Sequence, residues 1–328
     1  MSRAIPHDWP PLVVIVGAPR CGTTSLADYL KRHPAVSFSK PKEPHYFVLN
    51  DLSALDDAAL KETVTNGYIG RYFLKLRPGL RYLAEGSVSY LYGPERMEPI
   101  LRLWPDAKFV IAVRDPMKLV PSLHQRHLVQ GDETETDFDR AWALIPDRSK
   151  GRKVPRSCLD PRLLRYDVAG RLGEQVEAFF AAVGRERCHV VVHDDLVAYP
   201  AAVYSDLLKF LGLDHDGRTD FSPKRAAQGY RFGWLQRLLK RPPVARSVLA
   251  GRKYRQRVVA KPKAKPSSPA RKMLELRKRL LRWNMAPAPD ARLSKETQER
   301  LRAAFVEDVA KLGELLGRDL SHWLRVRD

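Results

Sequence analysis

The sequence predicts an α/β fold, in which one parallel sheet is covered by helices on both faces. Apolar runs of strand length occupy residues 12–17, 108–113 and 188–192, and each stands next to a stretch with helical spacing. The first run, LVVIVG, is continuously apolar, which is typical of a strand that is buried on both faces. Strands that alternate with helices along a chain usually form a parallel sheet, so we expect a single sheet of this kind.

The predicted helices follow from apolar spacing and from residues that start or stop a helix. The first, 23–32, begins with two threonines after strand 12–17 and is stopped by His33-Pro34. Helical spacing recurs in four later stretches, which are 94–103, 168–183, 200–211 and 294–317. The last of these is amphipathic, and we expect it to cover the core with a single apolar stripe that contains Leu301, Phe305, Val309, Leu312 and Leu316.

A glycine-containing loop, residues 17–24, joins the first strand to the first helix with the spacing GxxxxG-T-T. The two glycines permit a tight turn, and successive N–H groups at the helix start are able to bind an anion, as in a P-loop-like fold. The lysine that reaches the terminal phosphates in nucleoside triphosphatases is replaced by Thr23, and the loop carries a cation at Arg20 instead. The missing lysine disfavours a kinase or ATPase. The alternative to an anion-binding loop is a glycine turn with a purely structural role.

A second cation, Arg114, follows strand 108–113 directly and precedes Asp115-Pro116. In nucleoside triphosphatases the corresponding strand ends on an aspartate that holds magnesium. An arginine at this edge of the sheet suits a second phosphate group better than it suits a metal ion.

These motifs resemble those of the sulfotransferase superfamily, in particular the bacterial sulfotransferase-domain proteins related to heparan sulfate sulfotransferases. The P-[KR]-x-G-T-T loop of that family is matched by residues 19–24. The family's second motif, an arginine at a strand end with a serine eight residues later, is matched by Arg114 and Ser122. Its K-E-P-H-[FY]-F segment is matched by residues 42–47. The resemblance continues through 166–213 and 315–324, and leaves out only the region near 240–290.

The resemblance implies 3′-phosphoadenosine 5′-phosphosulfate (PAPS) as the donor and 3′-phosphoadenosine 5′-phosphate (PAP) as the product, without a metal ion. It assigns the 3′-phosphate to Arg114 and Ser122. Arg20 takes the place usually held by lysine, where it would stabilise the charge that develops on the leaving group. The 5′-phosphosulfate is assigned to Arg20, Cys21, Gly22, Thr23, Thr24 and Ser25. Cys21 lies beside Arg20 at a helix start, which favours a thiolate; the alternative, which we prefer, is that the position simply requires a small side chain.

The resemblance also implies that Glu43 accepts the proton of the acceptor hydroxyl or amine, with His45 beside it. Spacing by two in an extended segment places both side chains on one side. The alternative is a surface pair of Lys42 and Glu43, with a histidine that only packs.

Glu85 is a rival base, although its segment lacks the proline of the family pattern. His124 and His127 are further candidates. The acceptor is expected to be a glycan, another carbohydrate-containing molecule or a small molecule.

The formal charge of +20 is concentrated in residues 240–282, which contain 16 Lys or Arg and one acid, Glu275. Within this region, 258–270 is predicted to be a flexible linker between helices at 234–240 and 271–283. The excess charge is interpreted either as a solvated face or as a surface for an anionic polymer or membrane. A protein that binds nucleic acid through this segment is the alternative function from another class.

Three parts are predicted: a PAPS-binding core at 1–238, a basic insertion at 239–290, and a C-terminal helix at 291–328 that packs back on the core. The three cysteines are far apart and form no CxxC pair, which fits a reducing compartment. The N-terminus has no apolar stretch typical of a signal peptide, and the apolar runs are too short to span a membrane. We therefore expect a cytoplasmic protein, whose oligomeric state the sequence does not indicate.

Overall fold

The computed structural model describes residues 7–73, 76, 78–158, 160–222, 228–240, 268–287 and 293–326. The chain forms two compact units. The first unit comprises Met1–Asp115, Leu172–Lys224 and Glu307–Trp323. The second comprises Pro116–Arg171, Arg225–Val306 and Leu324–Asp328. These boundaries cut across the three parts that the sequence predicts, and that division remains a prediction.

The first unit is built on a five-stranded sheet in the order β2-β3-β1-β4-β5. Every pair of neighbouring strands is parallel, and all six residues of β1 are buried. The predicted α/β fold with a parallel sheet is thereby confirmed. The strands are β1 (Leu12–Gly17), β2 (Val36–Phe38), β3 (Tyr82–Glu85), β4 (Lys108–Val113) and β5 (Cys188–Val192).

The carboxyl ends of β1 and β4 form a topological switch point. From β1 the chain continues to β2 on one side of the sheet, whereas from β4 it continues to β5 on the other side. In open parallel sheets, ligands bind in the crevice at such a point. The loop after β1 and Arg114 after β4 therefore meet where this topology favours a binding site.

The helices of the first unit agree with the prediction except that one predicted helix is divided and another begins later. Thr23–Arg32 and Pro200–Leu211 have the expected positions. The stretch 94–103 is divided into a 3-10 turn and the helix Glu98–Leu103, which begins with Pro99 in its first turn. Leu172–Val183 starts later than expected because the Asp308 carboxylate accepts the N–H groups of Gly173 and Glu174. The remaining helical segments are Tyr46–Leu49, Asp57–Val64, Thr65–Ile69, Gly70–Tyr72, Tyr90–Tyr92, Arg185–Arg187, His193–Ala198 and Ser321–Leu324.

The second unit is mainly helical and surrounds a buried ion pair. Arg148 donates two hydrogen bonds, of 2.7 and 2.8 Å, to Glu133, and the Tyr166 hydroxyl adds a third at 3.0 Å. A short antiparallel pair joins Gln228–Tyr230 to Met285–Pro287. The helical segments are Pro116–Gln130, Phe138–Ala143, Ile145–Ser149, Pro161–Leu164, Tyr166–Ala169, Gly233–Lys240 and Ser268–Trp283.

The two helices predicted beside the basic linker are present, but the second is longer than expected. It begins at Ser268, so residues 268–270 are helical rather than part of a linker. Pro269 is compatible with this start, because the first turn of a helix tolerates proline. The rest of the predicted linker, 258–267, lies outside the described residues.

The final helix, Lys295–Leu316, confirms the prediction for 294–317. Four members of its apolar stripe are buried, and Leu316 is half-buried. Among the residues that the structure describes, none of the helices has the length and apolar character needed to cross a bilayer.

Candidate functional site

The loop after β1 depends on two glycines that approach other chain segments closely. A Cβ on Gly17 would lie 2.8 Å from the Leu91 Cβ, and one on Gly22 would lie 2.4 Å from the Leu196 Cδ2. Gly22 also has a φ of 91°, in the left-handed region that favours glycine. The loop is thus packed tightly between the segment after β3 and the helix after β5.

The start of the helix Thr23–Arg32 leaves two amide groups available to a ligand. The Gly22 carbonyl accepts the N–H of Ser25 at 2.9 Å and of Leu26 at 3.3 Å. The N–H groups of Thr23 and Thr24 have no acceptor within their own helix, and no side chain caps the helix among the described residues. The sequence assigned Ser25 to the anion as well, but its amide is already used inside the turn.

Arg114 is fixed against this loop. Its Nη1 donates a hydrogen bond of 3.0 Å to the carbonyl oxygen of Arg20, a residue with a φ of 66°. The Nε of Arg114 is buried and has no acceptor in the described part of the chain. A buried guanidinium nitrogen of this kind is a donor that an anion bound beside the loop would satisfy.

Cys21 does not carry the thiolate that its position predicts. Its side chain is fully buried, and its Sγ lies 3.5 Å from the Pro19 carbonyl oxygen. Burial raises the pKa of the thiol to about 12, against the opposing effect of Arg114 and Arg20. The thiolate interpretation is therefore wrong, and the need for a small side chain accounts for the residue. Only the backbone of Cys21 remains available for binding.

We expect Cys21 to resist alkylation by iodoacetamide at pH 8, both with and without PAP, because its thiol is protonated and inaccessible. Cys188 is also buried and its pKa is also raised to about 12 by burial, so it serves as an internal comparison. Mass spectrometry of tryptic peptides measures the labelling, and the urea-unfolded chain gives the full rate. Rapid labelling of Cys21 in the folded protein, or labelling suppressed only by PAP, would contradict this placement.

The segment after β2 carries Glu43 to the carboxyl edge of the sheet. It runs beside the end of β3, where Ser39 N–H bonds the Ala84 carbonyl and Gly86 N–H bonds the Lys42 carbonyl. Glu43 Oε1 lies 2.7 Å from Lys42 Nζ, and its Oε2 lies 3.6 Å from the Nε2 of His45. Burial alone would raise the pKa of Glu43, but His45 and Lys42 outweigh it and lower the pKa to about 2.

His45 is held by two serines that follow β3. Its backbone N–H donates to Ser87 Oγ at 2.8 Å, and its Nδ1 lies 2.7 Å from Ser89 Oγ. These contacts fix the imidazole while its other nitrogen faces Glu43. Glu43 and His45 thus form a contacting pair, as their spacing predicts, and Lys42 belongs to the same cluster.

Glu85, the rival base, is completely buried at the end of β3. It accepts hydrogen bonds from the Tyr68 hydroxyl at 3.2 Å and from the N–H and hydroxyl of Ser87. Burial raises its pKa, although these donors act in the opposite direction. Glu85 therefore supports Ser87, which in turn holds His45. The sequence analysis did not identify Ser87 and Ser89 as site residues. Their spacing by two in the stretch EGSVSY is the feature that would have suggested it.

The remaining candidate residues lie in the second unit. Ser122 is on the helix Pro116–Gln130, and its assignment to the 3′-phosphate remains a prediction. On the same helix, His124 is buried and its Nε2 lies 2.7 Å from the Glu135 carbonyl oxygen. Burial lowers the pKa of His127 to about 4. Both histidines therefore belong to the core of the second unit.

The segment 315–324, which we call the C-terminal motif, stabilises the helix His193–Ala198, whose Leu196 packs on Gly22. Trp323 Nε1 donates to the Asp194 carboxylate at 2.8 Å, and Arg318 makes a two-pronged ion pair with Asp195. These two contacts join residues more than 120 positions apart in the sequence. The motif thus stabilises the helix that forms one wall of the loop after β1.

Comparisons with known proteins point in one direction. A model described as "Sulfotransferase family" matches residues 11–217. A protein-tyrosine sulfotransferase from Drosophila melanogaster is 26% identical over 218 residues, which are 62% of this chain and 38% of that protein. Carbohydrate sulfotransferase 15 from Homo sapiens is 49% identical over 45 residues, which are 14% of this chain and 7% of that protein.

Among solved structures, a sulfotransferase from Alicyclobacillus acidocaldarius superposes with a TM-score of 0.61 at 24% identity. The match covers 97% of this chain and 100% of that one, which shows a shared fold. The chain spans 38% or less of the length of the two curated relatives.

Proposed function

The chain belongs to the sulfotransferase family, and we propose that it transfers a sulfuryl group from PAPS to a hydroxyl group of its acceptor. The observation that carries this proposal is the loop after β1, where the N–H groups of Thr23 and Thr24 have no acceptor in their helix and Arg114 lies against the loop. PAPS carries two separate anionic groups. Such a donor suits a site that offers arginines and backbone N–H groups at the switch point between β1 and β4.

The proposed donor site divides between the loop and the end of β4. The N–H groups of Thr23 and Thr24, with the Arg20 side chain, would bind the 5′-phosphosulfate. Arg114 would bind the 3′-phosphate, and Ser122 is assigned to the same group by resemblance. A guanidinium suits a phosphate because it donates two parallel hydrogen bonds.

In the proposed reaction, the acceptor oxygen forms a bond to sulfur as the bond between sulfur and the bridging oxygen of PAPS breaks. The acceptor proton passes to Glu43 or His45, and PAP leaves with the electron pair. Arg20 would stabilise the negative charge that develops on the bridging oxygen. Glu85 is excluded from this role in the proposal because it is buried and already bonded to Tyr68 and Ser87.

The proposed acceptor is a hydroxyl on a glycan or another carbohydrate-containing molecule. The relatives' names refer to carbohydrate in one case and to protein tyrosine in the other, and both kinds of acceptor offer hydroxyl groups. Transfer of radiolabelled sulfate from PAPS to fractionated polysaccharides, compared with tyrosine-containing peptides, distinguishes these two classes.

We expect PAP to raise the melting temperature more than AMP or ATP with magnesium does, because only PAP fills both proposed anion sites. Arg114→Ala should weaken PAP binding roughly 10- to 100-fold, the range for a charge-assisted hydrogen bond. It should lower the smaller effect of AMP less, because AMP has no 3′-phosphate and loses only the support that Arg114 gives the loop. Thermal shift and calorimetric titration measure both.

The matched control is Arg126→Ala, which removes an exposed arginine from the second unit. Equal stabilisation by all three nucleotides would contradict the assignment of Arg114. A larger effect of ATP with magnesium would instead favour a phosphotransferase, the alternative that the loop spacing leaves open.

A further inference from the structure

The second unit exposes five large apolar side chains on two neighbouring helices and the turn before them. We call these residues the aromatic face; they are between 44% and 63% exposed. Exposed apolar side chains are ordinary when they are scattered, but a group of this size indicates a surface that contacts something apolar. The five residues are Phe232, Trp234, Leu238, Leu276 and Trp283.

The aromatic face is built on a rigid support. The rings of Phe232 and Trp283 stack with centroids 5.8 Å apart and planes 20° apart. The buried Asn284 accepts the Phe232 N–H at 2.9 Å and donates to its carbonyl at 3.1 Å. Arg277 Nε donates to the Leu239 carbonyl at 2.7 Å and thus ties the two helices together. These contacts fix the positions of Phe232 and Trp283 and join the two helices that carry the aromatic face.

The two segments that carry the aromatic face are rich in positively charged residues. Residues 228–240 and 268–287 contain nine Lys or Arg and a single acid, Glu275. The guanidinium of Arg231 lies over the Trp283 ring, 6.0 Å from its centroid. Tryptophan and leucine next to clustered Lys and Arg is the composition of surfaces that lie in the interface of a bilayer.

We propose that the aromatic face docks the protein on a bilayer that contains anionic phospholipid. The apolar side chains would enter the boundary between head groups and acyl chains, and the surrounding cations would contact the head groups. A soluble polyanion would match the charge but would leave the apolar side chains in water. A second copy of the chain would bring two strongly positive surfaces together, which repel each other. A bilayer satisfies both features.

The test measures binding of the full chain to vesicles of phosphatidylcholine with 30% phosphatidylglycerol, and to vesicles of phosphatidylcholine alone. We expect binding only to the anionic vesicles, with a blue shift of tryptophan emission. We also expect quenching by lipids with brominated acyl chains, which reports contact of tryptophan with the acyl region. This readout uses the unaltered protein and does not depend on how a variant folds.

Two sets of variants separate the contributions. Trp234→Gln with Leu238→Gln should weaken binding at least 10-fold, since it removes apolar area that would be buried. Neutralising Arg237, Arg279 and Arg282 to Gln should weaken it roughly 100-fold, at the usual contribution of a basic residue near an anionic surface. The matched controls change exposed residues elsewhere in the second unit and should bind normally: Val168→Gln with Val306→Gln, and Gln at Arg126, Lys150 and Arg302.

Three results would overturn the proposal. Equal binding to both kinds of vesicle would remove the role of charge. Full binding by the apolar variant without quenching by brominated lipid, together with tight binding to heparin, would make this a polyanion surface. Concentration-dependent dimerisation abolished by the apolar variant would make it an interface between copies of the chain. The proposal does not depend on the donor or on turnover, so its failure leaves the proposed function unaffected.

Discussion

Replacing Arg20 by alanine is expected to lower kcat about 10²- to 10³-fold, the usual cost of losing one donor that stabilises charge in a transition state. The effect should fall mainly on kcat, because the bridging oxygen gains its charge only as the sulfuryl group leaves. Arg114 donates a hydrogen bond to the backbone carbonyl oxygen of Arg20, which the substitution keeps, so this support of the loop should survive. Steady-state kinetics with PAPS and an acceptor, together with titration of PAP, separate the two effects.

Arg20→Lys is the matched variant for this experiment. It keeps the charge and a Cβ at the same positive φ, so the backbone conformation costs both variants alike. We expect it to retain most of the turnover that alanine loses, because lysine also places a cation in the loop. If both variants turn over normally, Arg20 only contributes to the loop structure. If both lose PAP affinity and kcat equally, Arg20 binds the donor without a specific effect on the transition state.

The strands that could be predicted from the sequence are those with long apolar runs. β1, β4 and β5 contain five or six residues each and were found at their observed positions. β2 and β3, with the sequences VSF and YLAE, were missed because three or four residues show no usable periodicity. β3 also ends on the buried Glu85, and glutamate has a low propensity for β-strands.

The loop and Arg114 could be predicted because their spacing follows from chemistry that is local in the sequence. The supports of the site could not. The bond of His45 to Ser87 spans 42 positions and that of Trp323 to Asp194 spans 129, so both depend on how the chain folds back. A thiolate at Cys21, the alternative that we did not prefer, is disfavoured for a related reason. A helix start and an arginine favour a thiolate, but packing around the loop buries the sulfur.

Glu43→Gln is expected to lower kcat about 10²- to 10⁴-fold, the usual contribution of a positioned general base. The amide keeps the shape of the side chain but cannot take the proton of the acceptor. The affinity for PAP should change little, because the contacts of Glu43 are with Lys42 and His45. Single-turnover rates with saturating PAPS measure the loss, and calorimetric titration of PAP tests whether the donor site is intact.

The pH dependence distinguishes Glu43 from His45 as the group that takes the proton. With a pKa of about 2, the Glu43 carboxylate is ionised throughout the range from pH 5 to 9, so a rate that depends on it should be level there. A rate that falls within this range as the pH drops would assign the base to a group other than the Glu43 carboxylate, such as His45, and make Glu43 a positioning residue. Glu62→Gln is the matched control, since it changes an exposed glutamate on the helix Asp57–Val64 and should keep full turnover. Normal turnover of Glu43→Gln together with loss in Glu85→Gln would reverse the two roles, and would require the acceptor to reach the end of β3.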